Sequence, residues 1–485
     1  MNVLFIYSTD NVQSRTKPLI TQQQMQFGVS YISSLLKKNN HNPKLVVLSK
    51  ILGKKNRRTI DEYIEKFCPK LICFTSVSTE YSFIVDIAKY IKHAYADIFL
   101  LVGGPHVSLN PDGVLSNDFD ALCIGEGENP TLELVSQLER NIPPSGIANL
   151  WIKSNSVIEK NSPRPFIDNL DELPFPDRAM WQEWLGDKSS SDFSVLLGRG
   201  CPFQCTYCCN HVIKKLATGS YVRQRSADNI FEEIKEIVTD FPVVKEIYLE
   251  VETVAINIEW ALELCSKLKS FNASLPQPLS FGTNIRITPG KDLSQLFAAF
   301  KESNFRFVNI GIESGSERIR REVLKRHYSN QDVIDTVALA RKYGLQVVFF
   351  NIIGIPGETI NDFKETVKLN RICLPDWHLT SIFFPYPSTA LHSLCKKNGL
   401  LNTPIDERLE RRRAALDLPG FSRKQIQKSY VWFSYYVYHG HKSKWKILAS
   451  VFRAKISSNY YLYYCYRKIT RLPLFRGLKK VLKIG

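Results

Sequence analysis

The chain's 485 residues, 44% hydrophobic and 23% charged, suffice to bury large cores and to form about two or three domains. Its eleven cysteines are scattered rather than spaced as a secreted disulfide framework, no basic region followed by an apolar stretch opens the sequence, and no apolar run approaches the roughly 20 residues that span a bilayer, so a cytoplasmic location is expected. The net charge of +17 points first to nucleic acid, yet residues 418–485 hold 15 Lys or Arg and no Asp or Glu, which leaves the other 417 residues at only +2.

In chain order, residues 2–7 (NVLFIY) read as a buried strand, 27–36 as an amphipathic helix, 44–48 and 71–74 as strands, 82–94 as a helix and 98–102 as a strand. This alternation predicts an α/β domain with a parallel, doubly wound sheet that takes ligands at its strand C-termini. Two glycine-rich loops fall at such ends: Gly103-Gly104-Pro105-His106, and Gly125-Glu126-Gly127-Glu128 after a short strand at 121–124. Glycine there admits a bulky ligand to the backbone, or simply makes a tight turn. Residues 141–190 read as a linker whose Pro163, Pro165, Pro174 and Pro176 favour extended backbone.

The apolar run 193–197 leads into a Gly-rich loop with Cys201, Cys205 and Cys208 at C-x3-C-x2-C spacing. Three thiolates in such a loop suit zinc or an iron–sulfur cluster. Zinc wants a fourth ligand, and no second C-x2-C follows at zinc-ribbon spacing; a cubane on three cysteines leaves one iron open. Cys209 has no evident ligand role. Beyond the loop, a helix at 226–239, a strand at 246–251, a helix at 258–271 and strands at 280–287, 305–310 and 345–353 continue as about six βα units. That series predicts a partial barrel with its chemistry at the strand C-termini, where Glu250, Glu252, Arg286, Glu313, Gly354 and Pro356 fall. A charged helix is expected near 407–413. After Tyr430, aromatic residues alternate with bases, a pattern that suits an anionic lipid surface, RNA, or packing onto the barrel.

The cysteine spacing with Tyr207 before the third cysteine, Gly-x-Glu-Ser-Gly at 311–315 and Gly-x-Pro-Gly at 354–357 resemble the radical S-adenosylmethionine (SAM) enzymes. The loops GGPHVSLNP and GEGENP, with the helix at 27–36, resemble the cobalamin-binding domains fused to some of those enzymes. The resemblance implies a Rossmann-like cobalamin-binding domain over 1–140, a linker over 141–190, a partial (β/α)6 barrel over 191–400 and a basic, mostly helical extension over 401–485. It implies a 4Fe–4S cluster on Cys201, Cys205 and Cys208 with SAM on the open iron. Tyr207, Glu250, Glu252, Arg286, Glu313, Gly354 and Pro356 would then face the cluster and SAM, although Glu250-Val251-Glu252 departs from the usual Asp-Asp or Gly-Gly-Glu. Gly103, Gly104, His106, Gly125, Glu126 and Gly127 would face cobalamin; His106 is equally readable as a histidine capping its own loop. The cobalt-ligating Asp-x-His-x-x-Gly motif is absent from 1–140, and Asp376-Trp377-His378 lacks the glycine.

The implied activity is reductive cleavage of SAM with methylation of an unactivated carbon of a small or lipophilic substrate. Cyclisation, oxidation or rearrangement with the same cofactors, and non-catalytic binding of cobalamin or a tetrapyrrole beside a structural cluster, are the alternatives. Methylthiolation of RNA would need a second cluster, for which Cys68, Cys73 and Cys123 lack the spacing. The implied partners are an electron donor of flavodoxin or ferredoxin type and, through the basic end, the inner face of the membrane. Nucleic acid is not an expected partner.

Overall fold

The computed structural model describes residues 1–9, 17–115, 118–154, 157–186, 191–402 and 405–469; the expectations for the basic end that fall on 470–485 lie outside them. The chain forms two compact units, Met1–Phe203 with Cys209–Val244, and Gln204–Cys208 with Lys245–Gly485.

In the first unit, β1 (Asn2–Ser8), β2 (Asn42–Leu48), β3 (Leu71–Thr75), β4 (Phe99–Gly103) and β5 (Ala121–Cys123) pair in parallel in the order β2-β1-β3-β4-β5. Their side chains are apolar on both faces because helices such as Phe27–Lys38 and Tyr81–Ala94 cover the sheet, and Val3, Leu4, Ile72, Leu100 and Val102 are fully buried. The order reverses between β1 and β3, which opens a crevice at their C-terminal ends. This is the doubly wound sheet that the alternation predicts.

The stretch read as a linker holds more structure than its prolines suggest. β6 (Leu150–Ser154) and β7 (Val157–Lys160) extend the same sheet in antiparallel fashion, short strands whose polar alternation marks an edge. Further on, Trp181 and Trp184 enter the core of this unit. Trp181 donates to Ser30 Oγ (2.8 Å) and meets Tyr7 edge-on, and Trp184 donates to the Leu45 carbonyl (3.0 Å). The chain continues through β8 (Asp192–Leu196) and β9 (Gly198–Arg199), which pairs with β10 (Arg223–Gln224). The helix Ala227–Asp240 follows, its first turn capped by the Ser226 hydroxyl. From it Glu233, 1% exposed, receives Arg178 (2.5 Å) and Arg225, which also bond the carbonyls of Ser194 and Leu196 and so brace β8.

The second unit contains β11 (Glu246–Glu250), β12 (Ser280–Ile285), β13 (Phe305–Glu313), β14 (Gln346–Ile353) and β15 (Trp377–Ile382), parallel and in sequential order. With β8 ahead of them in the chain they make the six strand–helix repeats expected of the partial barrel. β15 lacks the uninterrupted apolar run of its neighbours: its residues are mostly part-exposed, and each face mixes polar with apolar side chains. His378 on β15 is not a ligand in waiting. It is packed between Phe433 and Tyr438 and bonded to Ser434 and Thr380, and burial, aided by Lys442, lowers its pKa to about 4.

The basic end begins as part of this core: the helix Arg423–Tyr438 buries Ile426, Phe433 and Val437 in one cluster with Phe363 and Ile382. The charged helix expected near 407–413 is only the short turn Glu407–Leu409, and Arg411 leaves helical geometry at φ +58°. Consecutive arginines with no apolar stripe have nothing to bury.

Replacing Glu233 by Gln should destabilise the protein by about 3–5 kcal/mol, because two buried guanidinium groups lose their counter-charge. The same change at Glu302, half-exposed in its pair with Lys269, should cost under about 0.5 kcal/mol. Urea unfolding followed by tryptophan fluorescence compares the two.

Candidate active site

Each unit presents a polar constellation at the C-terminal ends of its strands. In the first unit, Gly104 after β4 has φ +101°, and a Cβ there would stand 2.8 Å from the Ser76 carbonyl oxygen. Glycine is thus demanded by the chain's own backbone, since the His106 amide donates to that same carbonyl. Gly103 lies beside Cys123. His106 is buried against Tyr81 (ring centroids 4.3 Å apart), and its Nδ1 pairs with Ser78 Oγ at 3.0 Å. Burial lowers its pKa, so the ring is neutral, and its buried Nε2 has no hydrogen-bond partner. An unsatisfied imidazole nitrogen at this end of the sheet fits a polar side chain of a corrin.

The second loop is built differently from the expectation. Gly125 (φ +83°) is anchored by Ser108 Oγ, and Gly127 faces Ile32. Glu126, expected to face a ligand, has its carboxylate taken up within the chain: Arg199 Nη1 at 2.9 Å, Arg223 Nη1 at 3.0 Å and the Ile167 amide at 2.8 Å. Glu128 holds the other arm of Arg199 at 2.5 Å. Burial opposes the charge on Arg199, but Glu128 and Glu126 outweigh it and raise its pKa. Arg199 stands two residues before Cys201. Between them, Gly200 (φ +86°) passes so close to the Tyr221 carbonyl that no side chain fits. The GEGE loop therefore clamps the base of the cysteine loop.

In the second unit, Gln204–Cys208 is pinned by Thr206, whose hydroxyl donates to the Val323 carbonyl (2.6 Å) and whose own carbonyl accepts from Leu391. Cys205 is buried, and its sulfur receives Arg286 Nη1 at 3.1 Å and Arg326 Nη1 at 3.8 Å. Two guanidinium groups thus stand against the sulfur that the resemblance makes an iron ligand. Arg326 also donates to Tyr207 Oη (3.1 Å) and the Gly311 carbonyl (2.5 Å) and pairs with Glu313 (3.4 Å). Burial raises the Tyr207 pKa well above the ordinary phenol value, so the hydroxyl keeps its proton.

Glu313 sits at φ +59° where the β13–β14 register shifts, and its carboxylate folds back over Gly311, where a Cβ would come within 2.5 Å of it. Arg286, at the end of β12, meets the sulfur of Cys205. Glu250 at the end of β11 has its pKa raised by burial and then by neighbouring Glu252. Gly354 (φ +76°) and Ile355 donate their amides to Glu358 Oε2, while Glu358 Oε1 is buried without a partner. Pro356 completes that turn.

Among the described residues, no three His, Cys, Asp or Glu side chains converge as ligands of a single metal ion. A cubane is held through three different irons and needs no such convergence.

Several functional candidates carry no sequence signal. Arg199, Arg326 and Glu358 lie in charged or glycine-rich stretches that read as surface or turn. On the face of the sheet that carries Glu250, Tyr248 donates to Asn284 (2.6 Å) and Asn309 bonds both. Strand alternation and register place Phe350, Ile352, Trp377 and Leu379 on that same face, where Trp377 is 44% and Leu379 58% exposed. A polar patch is thereby flanked by an apolar wall.

The Radical SAM superfamily model matches residues 195–369, and the B12 binding domain model matches residues 20–135. An uncharacterized methyltransferase of Pyrococcus horikoshii is 28% identical over 422 residues, 86% of this chain and 88% of its own. Among solved structures, the cobalamin-dependent SAM radical enzyme OxsB with aqua-cobalamin bound is similar at a TM-score of 0.68 and 14% identity, covering 99% of this chain and 76% of its own. The radical SAM methyltransferase TsrM of Kitasatospora setae, with cobalamin and a [4Fe-4S] cluster bound, is similar at 0.63 and 16%, covering 83% and 76%.

Two outcomes test this geometry. Arg326→Gln should lower the one-electron midpoint potential of the reconstituted cluster by about 60–130 mV, the worth of one charge-assisted hydrogen bond of about 1.5–3 kcal/mol; Arg326→Lys should shift it less. Burial raises the Glu358 pKa from 4.5 to about 8 against the two amides. A raised folded value means stability that is full below pH 4.5 and lost as pH climbs through about 8. Glu358→Gln should flatten that loss in thermal unfolding across the window. The two matched models cover both constellations: the chain carries a B12-binding domain followed by a radical SAM domain.

Proposed function

We propose that this cobalamin-dependent radical SAM enzyme is a methyltransferase acting on an unactivated carbon of a small, lipophilic substrate. The observation that carries the reading is the convergence of Cys205, Tyr207, Arg286, Glu313 and Arg326 within one unit, in line with the cysteine loop. Cys201, Cys205 and Cys208 hold the 4Fe–4S cluster. When bound, the cluster, SAM and cobalamin supply reductive cleavage and the methyl donor; the chain supplies position and charge.

Glu250, whose charge is disfavoured by burial and by Glu252, is relieved by the ammonium of SAM. Arg286, at the sulfur of Cys205, takes the carboxylate in a forked pair. Glu313, oriented by Arg326, accepts from the ribose hydroxyls. Gly354 and Pro356 form the turn beside the adenine. In residues 1–140, Gly103, Gly104, Gly125 and Gly127 would shape the bed for cobalamin and His106 Nε2 would bond a polar side chain of the corrin. Glu126 acts through Arg199 on the cysteine loop. The barrel over 191–400 receives the substrate, and the apolar wall of Phe350, Ile352, Trp377 and Leu379 supports a lipophilic one.

A flavodoxin or ferredoxin delivers the electron. No helix among the described residues is long and apolar enough to cross a membrane, so the contact proposed with the inner leaflet is peripheral and made by the 401–485 segment.

The test uses full-length protein reconstituted anaerobically with iron, sulfide and hydroxocobalamin, then given methyl-labelled SAM, reductant and a lipid extract. Visible absorbance of the cluster, retained corrin, 5′-deoxyadenosine and label in a carbon–methyl product are expected, and alanine at Cys201, Cys205 and Cys208 should abolish all but the corrin. Deoxyadenosine with an unlabelled product would replace methylation by cyclisation, oxidation or rearrangement. Loss of neither cluster nor deoxyadenosine in the cysteine variant would overturn the assignment.

A further inference from the structure

The helix Lys444–Ser457 is held to the fold by one narrow side. Ile447 and Val451 are buried, and Ser450 bonds Ser434 of the helix Arg423–Tyr438 at 2.8 Å. Along its outer side, Trp445, Leu448 and Phe452 recur at helical spacing and are 81%, 44% and 61% exposed. Three large apolar side chains in one exposed row are not dictated by the fold, which gains nothing from their burial.

Charge frames the row. At helical periodicity Lys444 and Lys455 fall along one edge of it and Lys446 and Arg453 along the other, all exposed. No Asp or Glu occurs from residue 418 to the end of the sequence. The following helix adds exposed Tyr461 and Leu462. An apolar stripe between two rows of bases is the pattern of a helix that lies in the headgroup region of an anionic bilayer, apolar side inward and lysines among the phosphates.

We infer that the outer side of the helix Lys444–Ser457 is the surface by which this enzyme rests on anionic lipid, with Trp445, Leu448 and Phe452 entering the acyl boundary. The inference deepens the peripheral contact proposed above by naming the element that makes it. Charge complementarity favours this occupant over the others. A second copy would bring the same positive rows together, and RNA would leave aliphatic Leu448, in the middle of the stripe, without a partner.

Co-sedimentation of the full chain with vesicles of phosphatidylglycerol in phosphatidylcholine, and with phosphatidylcholine alone, tests it. Two variants keep the buried side intact: one with Trp445→Ser, Leu448→Ser and Phe452→Ser, one with Lys444→Glu and Lys446→Glu. The wild type should partition onto the anionic vesicles at low salt, each variant should lose about tenfold or more in partitioning, and thermal unfolding should stay unchanged. If the wild type ignores both vesicles, the peripheral-membrane reading falls and the inference with it. If the wild type binds and both variants bind equally well, the membrane reading stands and the assignment to this helix is wrong. Loss of homopolymer RNA binding, or of a dimer, in the variants while vesicles are ignored would overturn it in favour of those partners.

Discussion

One buried guanidinium sets the order of the catalytic unit. Arg326 reaches the sulfur of Cys205, the hydroxyl of Tyr207, the carboxylate of Glu313 and the carbonyl of Gly311, and Tyr328 closes the remaining side. A fully desolvated charge tolerates no idle donor, so each of these groups is fixed by the need to satisfy it. The cysteine loop is short and has little core of its own. Its position comes from this cation, from Thr206 tied to the chain around Val323, and from Arg286.

The first unit solves the matching problem with opposite charges. Glu126 and Glu128 present two carboxylates that Arg199 bridges, with Arg223 sharing the load and Tyr31 lying against the guanidinium. Both glutamates belong to the loop that sequence alone assigns to a ligand. Their partner belongs to the stretch that ends in the first cysteine. Within this unit, the loop of the cobalamin domain and the root of the cluster loop are therefore one electrostatic object, and neither can move without exposing or stranding buried charge.

How much of this was legible depends on the kind of signal. Uninterrupted apolar runs place the central strands to within two or three residues, because buried parallel strands leave little choice of side chain. The cysteine spacing, Glu313 and the glycine loops were readable because chemistry or backbone restricts those positions to few residue types. What escaped was held by long-range pairing: Arg326 looks like one more base in an arginine-rich stretch, and only the fold buries it. β6 and β7 hid in a proline-bearing segment, and Trp181 and Trp184 gave no hint of their donors' targets. Glu126 is the reverse case: the sequence points it at a ligand, and its carboxylate pairs with Arg199 and Arg223. Of the readings open for the basic end, packing onto the barrel describes the helix Arg423–Tyr438, which is core on its inner side.

Glu313 has a further implication. Its left-handed backbone, φ +59°, costs a residue with a Cβ of order 1–3 kcal/mol, a cost that glycine or asparagine would largely escape. Glycine would also strand the buried Arg326 guanidinium without its counter-charge, a loss of about 3–5 kcal/mol that outweighs the strain relieved. Stability and site geometry therefore select the same side chain here, and a variant library ranked by melting temperature would retain this carboxylate without any selection for chemistry.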